Sequence, residues 1–181
     1  MPGKKSALLG VLAPLVGYVF IAVAIAKAPW FSWQSNALSD LGHARNSAVA
    51  PLFNLGLFLT GALLLTYAVT VFHQYAVVTS WFLSFTSISL QLISIFDEVY
   101  SSLHYVVSVL FFVLLGCTSI VYVLEKKSSL AAIGFIVGLA SWVFYGTKTY
   151  TTGISVPETI SSLAVIPWIL HSAVKLYSEP Q

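Results

Sequence analysis

A polar segment stands out in a sequence that is otherwise mostly apolar. It runs from Asn36 to Arg45 and contains Ser39, Asp40 and His43. A serine hydroxyl can act as a nucleophile, and a carboxylate beside an imidazole can exchange protons or bind a metal ion. Such groups are costly to remove from water, so they are seldom placed beside a bilayer without a partner or a task. This segment is therefore the first candidate for a functional site.

Other ionisable side chains fall in two further connections between apolar runs. Asp97 and Glu98 precede His104, while Lys148 and Glu158 flank the start of the last apolar run. Carboxylates and imidazoles that converge at a lipid boundary could hold a divalent metal that activates water, or could work as a general acid and base. The candidate catalytic residues are Ser39, Asp40, His43, Asp97 and His104, and the candidate substrate contacts are Arg45, Glu98, Lys148 and Glu158. The sequence leaves the presence of a metal open; its candidate ligands are Asp40, His43, Asp97 and His104.

Each candidate also has a purely structural interpretation. Ser39 or Asp40 could cap a helical turn, and Ser155 with Glu158 fits a capping box at the start of the last helix. The remaining charged side chains could be solvated or paired at a rim, where such pairs contribute little. Position by position these interpretations are the stronger ones. The gathering of four acidic residues and two histidines on one side of the membrane is what favours a site.

The composition identifies the class of protein that must position these groups. Hydrophobic residues make up 58% of the 181 residues and charged residues 8%, too little polar material to cover a water-soluble globule. The few charges exclude a nucleic-acid-binding surface, and the single cysteine, Cys117, excludes an internal disulfide. Apolar runs long enough to cross the ~30 Å hydrocarbon layer predict one all-α domain, a bundle of six transmembrane helices over residues 1–181. The predicted spans are about 7–26, 50–72, 75–96, 103–124, 129–146 and 157–177, and residues 27–49 form a loop at the outer surface.

The basic residues predict the orientation. Six spans place both termini on the same side of the membrane. The terminal side carries Lys4, Lys5, Lys126, Lys127 and Lys175, against Lys27, Arg45 and Lys148 on the other side. This excess favours cytoplasmic termini in a multi-pass protein of the cell membrane. The acidic and histidine-containing connections then face outward.

Two patterns inside the predicted spans bear on packing. Polar side chains recur every three or four residues on one face of the third span, and the series extends to Glu98; the residues are Ser80, Ser84, Ser87, Gln91 and Ser94. Such a stripe either packs against other helices, with its hydroxyls bonded to preceding carbonyls, or lines a polar path. Gly134 and Gly138 form a Gly-x-x-x-Gly pair, which permits close approach of another helix.

These residues resemble a known family. Asn-Ala-Leu-Ser-Asp-Leu-Gly at 36–42, Pro51 opening the second span, an acidic turn before His104 and Pro157-Glu158 opening the last span resemble the six-span prokaryotic proteins grouped as domain of unknown function 998 (DUF998). The resemblance covers nearly the whole chain. More distantly, the Leu-Ser-Asp loop and the histidine starting the fourth span are similar to the DRAM and Sfk-type family, whose members are associated with lipid handling. The alkaline ceramidase and adiponectin-receptor superfamily also places Ser, Asp and His at a membrane face, but with seven spans and a His-x-x-x-His pair that is lacking here.

Together these observations predict an outward-facing polar site that acts on or senses membrane lipid or a small amphiphile. If the protein is an enzyme, the expected reaction is hydrolysis, assisted by a metal or by acid and base groups. One alternative is a transporter or conduit for a small solute or ion along the polar stripe. Another is a structural or regulatory subunit of a membrane complex, held through faces such as that of Gly134 and Gly138. The oligomeric state is left open.

Overall fold

The structure, a computed structural model, describes residues 4–149 and 151–178. This part of the chain is all-α and contains six helices long and apolar enough to cross a membrane. They are α1 (Lys4–Lys27), α2 (Ala50–Tyr75), α3 (Val77–Ile95), α4 (Ser102–Lys126), α5 (Ser129–Gly146) and α6 (Ser155–Ser178). The predicted number and order of spans is confirmed. The helices indicate a multi-pass membrane protein.

Helix α2 differs from the prediction at its end. It begins just before Pro51, which is tolerated in a first turn because the N–H that proline lacks has no intrahelical partner there. It then continues through a π-helical segment at Ala68–Phe72 and ends at Tyr75. Residues 73–74, which were predicted to separate the second span from the third, therefore belong to α2. The chain reverses at Ala76, whose backbone leaves the helical region with φ −141° and ψ 84°.

Helices α1 to α4 pack in chain order, and α6 packs back against α1. Helix α5 packs against α4 and α6. The close approach predicted at the glycine pair is confirmed, because a Cβ at Gly134 would collide with the carbonyl oxygen of Ala164, and Gly138 lies against Ser161. Both contacts are made by α6. The glycine face is thus used within the chain.

Two buried clusters hold the ends of the bundle. At the end where α1 begins and α6 ends, called the terminal end below, Tyr122 stacks on Trp168 with ring centroids 4.6 Å apart, and Phe72 lies beside both rings. At the opposite end, called the loop end, a smaller cluster contains Leu41 and Phe53. The second cluster fixes the long connection between α1 and α2 against the bundle.

The polar stripe of α3 is satisfied within its own helix. Each of its five side chains donates to a carbonyl three or four residues earlier, at 2.7 Å for the serines and 3.4 Å for Gln91. Helix α3 ends at Ile95, so the extension of the stripe to Glu98 is wrong. Glu98 instead begins a short 3-10 turn, because Phe96 and Asp97 have left helical geometry. The arrangement matches the packing interpretation of the stripe.

Candidate functional site

The connection between α1 and α2 folds over the loop end of the bundle. Its 3-10 turn, Ser39–Gly42, is held from two directions. Leu41 is fully buried in the cluster below it, and Asn54 of α2 donates from Nδ2 to the carbonyl of Gly42 at 2.9 Å. A Cβ at Gly42 would lie too close to the side chains of Asn54 and Phe53, so a larger residue would displace them from the turn. The turn therefore holds Ser39 and Asp40 in place over the helices.

Asp40 organises the residues before this turn. Its Oδ2 accepts hydrogen bonds from Asn36 Nδ2 at 2.7 Å and from the Ala37 amide at 3.0 Å. The carbonyl of Asn36 in turn accepts from the Ser155 amide at 3.1 Å, which ties the connection to the start of α6. Asp40 thus serves local structure through one oxygen, as a capping carboxylate does.

Glu158 does not cap its own helix, so the predicted capping box is wrong. Its Oε2 accepts a hydrogen bond from the Leu38 amide at 2.8 Å. Within the described residues Ser155 Oγ has no hydrogen-bond partner, and the Ser155 amide is already used by Asn36. Because that amide is taken, Glu158 extends to the connection instead. The acid of α6 thereby joins the polar segment of the α1–α2 connection.

Glu98 meets the same segment from the α3–α4 connection. Ser39 Oγ donates to Glu98 Oε1 at 2.6 Å. Burial raises the pKa of the Glu98 carboxyl above its usual range and the neighbouring Asp40 carboxylate adds to the rise, while the Ser39 hydroxyl and His104 act in the opposite direction. Glu158 lies within electrostatic range of both acids. Three carboxyl groups, two from connections and one from the first turn of α6, therefore gather at the loop end.

His104 stands beside this group in the first turn of α4. Its Nδ1 is 2.7 Å from the carbonyl oxygen of Phe96, which can only accept, so Nδ1 carries a proton. In the neutral ring Nε2 is then the basic nitrogen; it lies 3.3 Å from Ser108 Oγ and 4.0 Å from Glu98 Oε1. The imidazole is thus oriented with its basic nitrogen toward the acids.

The order of these groups differs from that of a serine-hydrolase triad. In such a triad the imidazole lies between the serine and the acid and takes the serine proton. Here Glu98 lies between Ser39 and His104, with both facing the same oxygen, Oε1. Any activation of the Ser39 hydroxyl would therefore come directly from the carboxylate.

Several predicted site residues lie apart from this group. The buried carboxylate of Asp97 accepts from the Val99 amide at 2.8 Å and so caps the 3-10 turn. His43 Nε2 lies 3.0 Å from Asn46 Nδ2, in a polar cleft of about 240 Å³ that Asp40 also lines. Arg45 and Lys148 are exposed, and neither forms an ion pair with another described residue.

A metal site receives no geometric support. Among residues 4–149 and 151–178 no three His, Cys, Asp or Glu side chains converge to hold an ion. The four candidate ligands have different partners: Asp40 bonds to Asn36, His43 to Asn46, Asp97 to Val99 and His104 to Phe96. The four candidate ligands therefore do not form one metal site.

Two apolar spaces adjoin the carboxyl groups. A central cavity of about 140 Å³ lies inside the bundle and is lined at its loop end by Ser39 and Glu158. A groove of about 520 Å³ lies between α4, α5 and α6 and is lined by Glu158 at the same end. Glu158 and Ser108 line both spaces. The carboxyl groups thus lie at the loop end of two otherwise apolar spaces.

Comparison with known proteins identifies the family. The model of the family described as protein of unknown function (DUF998) matches residues 11–175. The chain belongs to the DUF998 family. No curated protein and no solved structure matches it.

In this DUF998 protein three polar residues of the loop end were not predicted as site residues. Ser108, Asn36 and Tyr18 either bond to the candidate residues or line the cavity beneath them. Ser108 could have been found, because it follows His104 by four residues and so shares its helical face. Tyr18 gave no such signal, because its hydroxyl meets Ser162 of α6, at 2.8 Å, far along the chain.

Proposed function

We propose that this DUF998 protein binds a membrane amphiphile whose polar head carries a protonated amine. The proposal rests on the charge of the loop end. Asp40, Glu98 and Glu158 gather there, and among the described residues the one basic side chain within ion-pair distance is that of His104, whose Nε2 lies 4.0 Å from Glu98 Oε1. Carboxylates beside a bilayer need a cation or hydrogen-bond donors to offset their desolvation. An ammonium head supplies both.

The position of Glu158 carries the proposal. Its carboxylate meets the polar connection at Leu38, yet it lines two apolar spaces inside the bundle. A ligand that bonds to Glu158 would therefore have apolar surroundings for the rest of its length. This combination suits an amphiphile better than a small polar solute.

The proposed setting is the cell membrane. The orientation expected from the lysines, with cytoplasmic termini, would place the loop end at the outer surface. Trp30 and Trp33 are exposed near this end, at 45% and 38%, as suits rings in the headgroup zone. The head of a lipid in the outer leaflet would then lie level with the carboxyl groups.

The test is equilibrium binding to the protein in nanodiscs. A long-chain primary amine, the alcohol and the carboxylic acid of the same chain length are compared at neutral pH. We expect the amine to bind about tenfold or more tightly than the acid, the effect of one charge-assisted hydrogen bond of ~1.5–3 kcal/mol. Glu158→Gln should remove most of this preference, because it removes the negative charge that attracts the amine. The local structure should be retained, because the glutamine oxygen can still accept from the Leu38 amide.

The matched control is Glu125→Gln, which changes a glutamate at the terminal end of the bundle. This variant should bind the amine as the unsubstituted protein does. Equal affinity for amine and acid in the unsubstituted protein, or equal loss of amine binding in both variants, would contradict the proposal.

The contact of Ser39 with Glu98 favours a second candidate function, hydrolysis of a bound ester or amide. The Ser39 hydroxyl would transfer its proton to Glu98 as Oγ attacks the carbonyl carbon, and the leaving alcohol or amine would take that proton. Water would then release the acyl group from Ser39, with Glu98 accepting the water proton and returning it to Oγ. In a turnover assay with an ester amphiphile, Ser39→Ala should abolish hydrolysis and retain amine binding. Turnover that is unchanged in Ser39→Ala would remove this candidate.

The other two predicted functions gain no support from the geometry. The stripe side chains of α3 donate to their own helix, so they offer no row of donors to a solute. The face of Gly134 and Gly138 is occupied by α6. We therefore base no proposal on a conduit or on a subunit interface.

A further inference from the structure

We infer that the groove between α4, α5 and α6 holds the alkyl chain of the amphiphile, which enters sideways from the bilayer with its amine at Glu158. This inference rests on the proposed function and adds the location of the chain. It also limits the ligand to one whose chain lies within a single leaflet.

The sizes of the two apolar spaces distinguish between them. Ligand sites commonly have volumes of ~300–1,000 Å³. The groove, at about 520 Å³, falls within this range, whereas the central cavity, at about 140 Å³, is too small for a chain together with a head. The groove is therefore the better site for the chain.

The groove opens toward the surroundings of the bundle. Val113 of α4 and Leu139 of α5 line it and are 56% and 52% exposed. Both belong to helices long and apolar enough to cross a membrane, so the space outside them is lipid. An alkyl chain can enter without crossing a polar barrier.

The length of the groove matches one leaflet. Its lining on α4 extends from Tyr105 to Ile120, which is roughly 22 Å of helix at 1.5 Å per residue. One leaflet with its headgroup region is ~20–22 Å thick. A chain that starts at the loop end would therefore end near the middle of the bilayer.

The charge of the groove fits the amine head. Among the described residues that line it, Glu158 is the one carboxylate, and no lysine or arginine is present. Glu158 lies in the first turn of α6, at the loop end of the groove. The amine head would thus lie at the loop end of the groove, and the alkyl chain would lie along the rest of it.

A thin wall separates the groove from the central cavity. Five residues line both spaces: Ser108, Phe112, Leu115, Glu158 and Val165. The Phe112 ring makes edge contacts with Phe111 and with Trp142, each at 5.0 Å between centroids. A chain in the groove would therefore lie against this wall and outside the cavity.

Cys117 provides a probe that needs no substitution. It is the single cysteine of the chain and lines the groove. With the protein in nanodiscs, a membrane-permeable thiol reagent should modify Cys117 about tenfold more slowly when the long-chain amine is present at about ten times its Kd. The acid of equal chain length at the same concentration should give much less protection.

Gly116 allows the groove to be filled from within. A Cβ at Gly116 would lie 3.6 Å from the Phe135 ring, an ordinary contact, so Gly116→Ala and Gly116→Leu add bulk without a backbone clash. Gly146→Leu, at an α5 position with open space around it, is the matched control. A photoreactive alkyl amine should label α4, α5 and α6 in the unsubstituted protein and in Gly146→Leu, and progressively less in Gly116→Ala and Gly116→Leu.

The outcomes separate the two proposals. Undiminished labelling in Gly116→Leu, labelling confined to α1, α2 and α3, or no protection of Cys117 would overturn the groove while amine-selective binding still stood. Equal protection of Cys117 by amine and acid would overturn the proposed function and, with it, the assignment of an amine to the groove. Thermal unfolding of each variant shows whether lost labelling reflects lost structure.

Discussion

The two ends of the bundle treat their glutamates in opposite ways. At the terminal end Glu125 lies over the start of α3 and accepts from the Thr79 amide at 2.8 Å, from Thr79 Oγ1 at 2.5 Å and from the Val78 amide at 3.2 Å. The two backbone amides are among those that a helix start leaves without intrahelical partners. One carboxylate therefore has three donors, and Lys126 lies beside it.

At the loop end three carboxyl groups share few donors. Glu158 has the Leu38 amide, Glu98 has the Ser39 hydroxyl, and Asp40 has Asn36 and the Ala37 amide. Burial is the main cause of the raised pKa of Glu98, and the neighbouring Asp40 carboxylate adds to the rise. The glutamate of the terminal end is accounted for by structure alone, whereas Glu98 and Glu158, with one donor each, are not. This difference is the physical reason for placing the ligand at the loop end.

The largest expected difference between the two ends is in the free energy of unfolding, which should fall most when the glutamate of the terminal end is replaced. Glu125→Ala should lower the free energy of unfolding by about 1–2 kcal/mol, as the loss of a helix cap does. Glu158→Ala should cost less, because it loses one bond to the Leu38 amide but relieves the repulsion from Asp40 and Glu98. Denaturation of both variants in the same detergent measures the difference.

Amine binding to the same two variants should show the opposite order of effects. Glu125→Ala should leave it unchanged where the protein is folded, and Glu158→Ala should weaken it. If Glu158→Ala proved the more destabilising and Glu125→Ala impaired binding, the contrast between the ends would be reversed.

The spans were predictable from sequence because hydrocarbon thickness sets their length. Each predicted span overlaps an observed helix, with differences of a few residues at the ends. The segment around Ser39 and Asp40 was also identifiable, since its polarity contrasts with its surroundings. His104 was placed by its position at the start of the fourth span. These features follow from composition and from periodicity along the chain.

The partners within the site were not predictable in the same way. A capping box is a local rule, and it assigned Glu158 to Ser155. The observed partner is the Leu38 amide, 120 residues away, and it is available because the connection folds over α6. Asp97 illustrates the converse. Its acidic character suggested chemistry, but its carboxylate caps the turn that positions Glu98. Which acid is structural depends on backbone amides that composition does not reveal.

A smaller effect concerns the pH dependence of binding at the loop end. The raised pKa of Glu98 means that its carboxyl loses its proton at a higher pH than an ordinary glutamate. The groups that face it are Asp40, Glu158 and His104. As the pH rises, the Glu98 carboxyl gains negative charge, while a primary amine stays protonated to about pH 9. Affinity for the amine should therefore rise with pH across the titration of Glu98.

Glu98→Gln should remove the part of this rise that belongs to Glu98. The glutamine oxygen can still accept from Ser39, so the geometry is retained while the charge is lost. At high pH the variant should bind the amine about two- to fivefold more weakly, the effect of one partly exposed ion pair of up to ~1 kcal/mol. At low pH, where the Glu98 carboxyl is already neutral, the two proteins should bind alike. Binding measured from acid to mildly alkaline pH tests this, and an unaltered profile in Glu98→Gln would mean that the amine is bound without Glu98, leaving Glu158 and Asp40 as its partners.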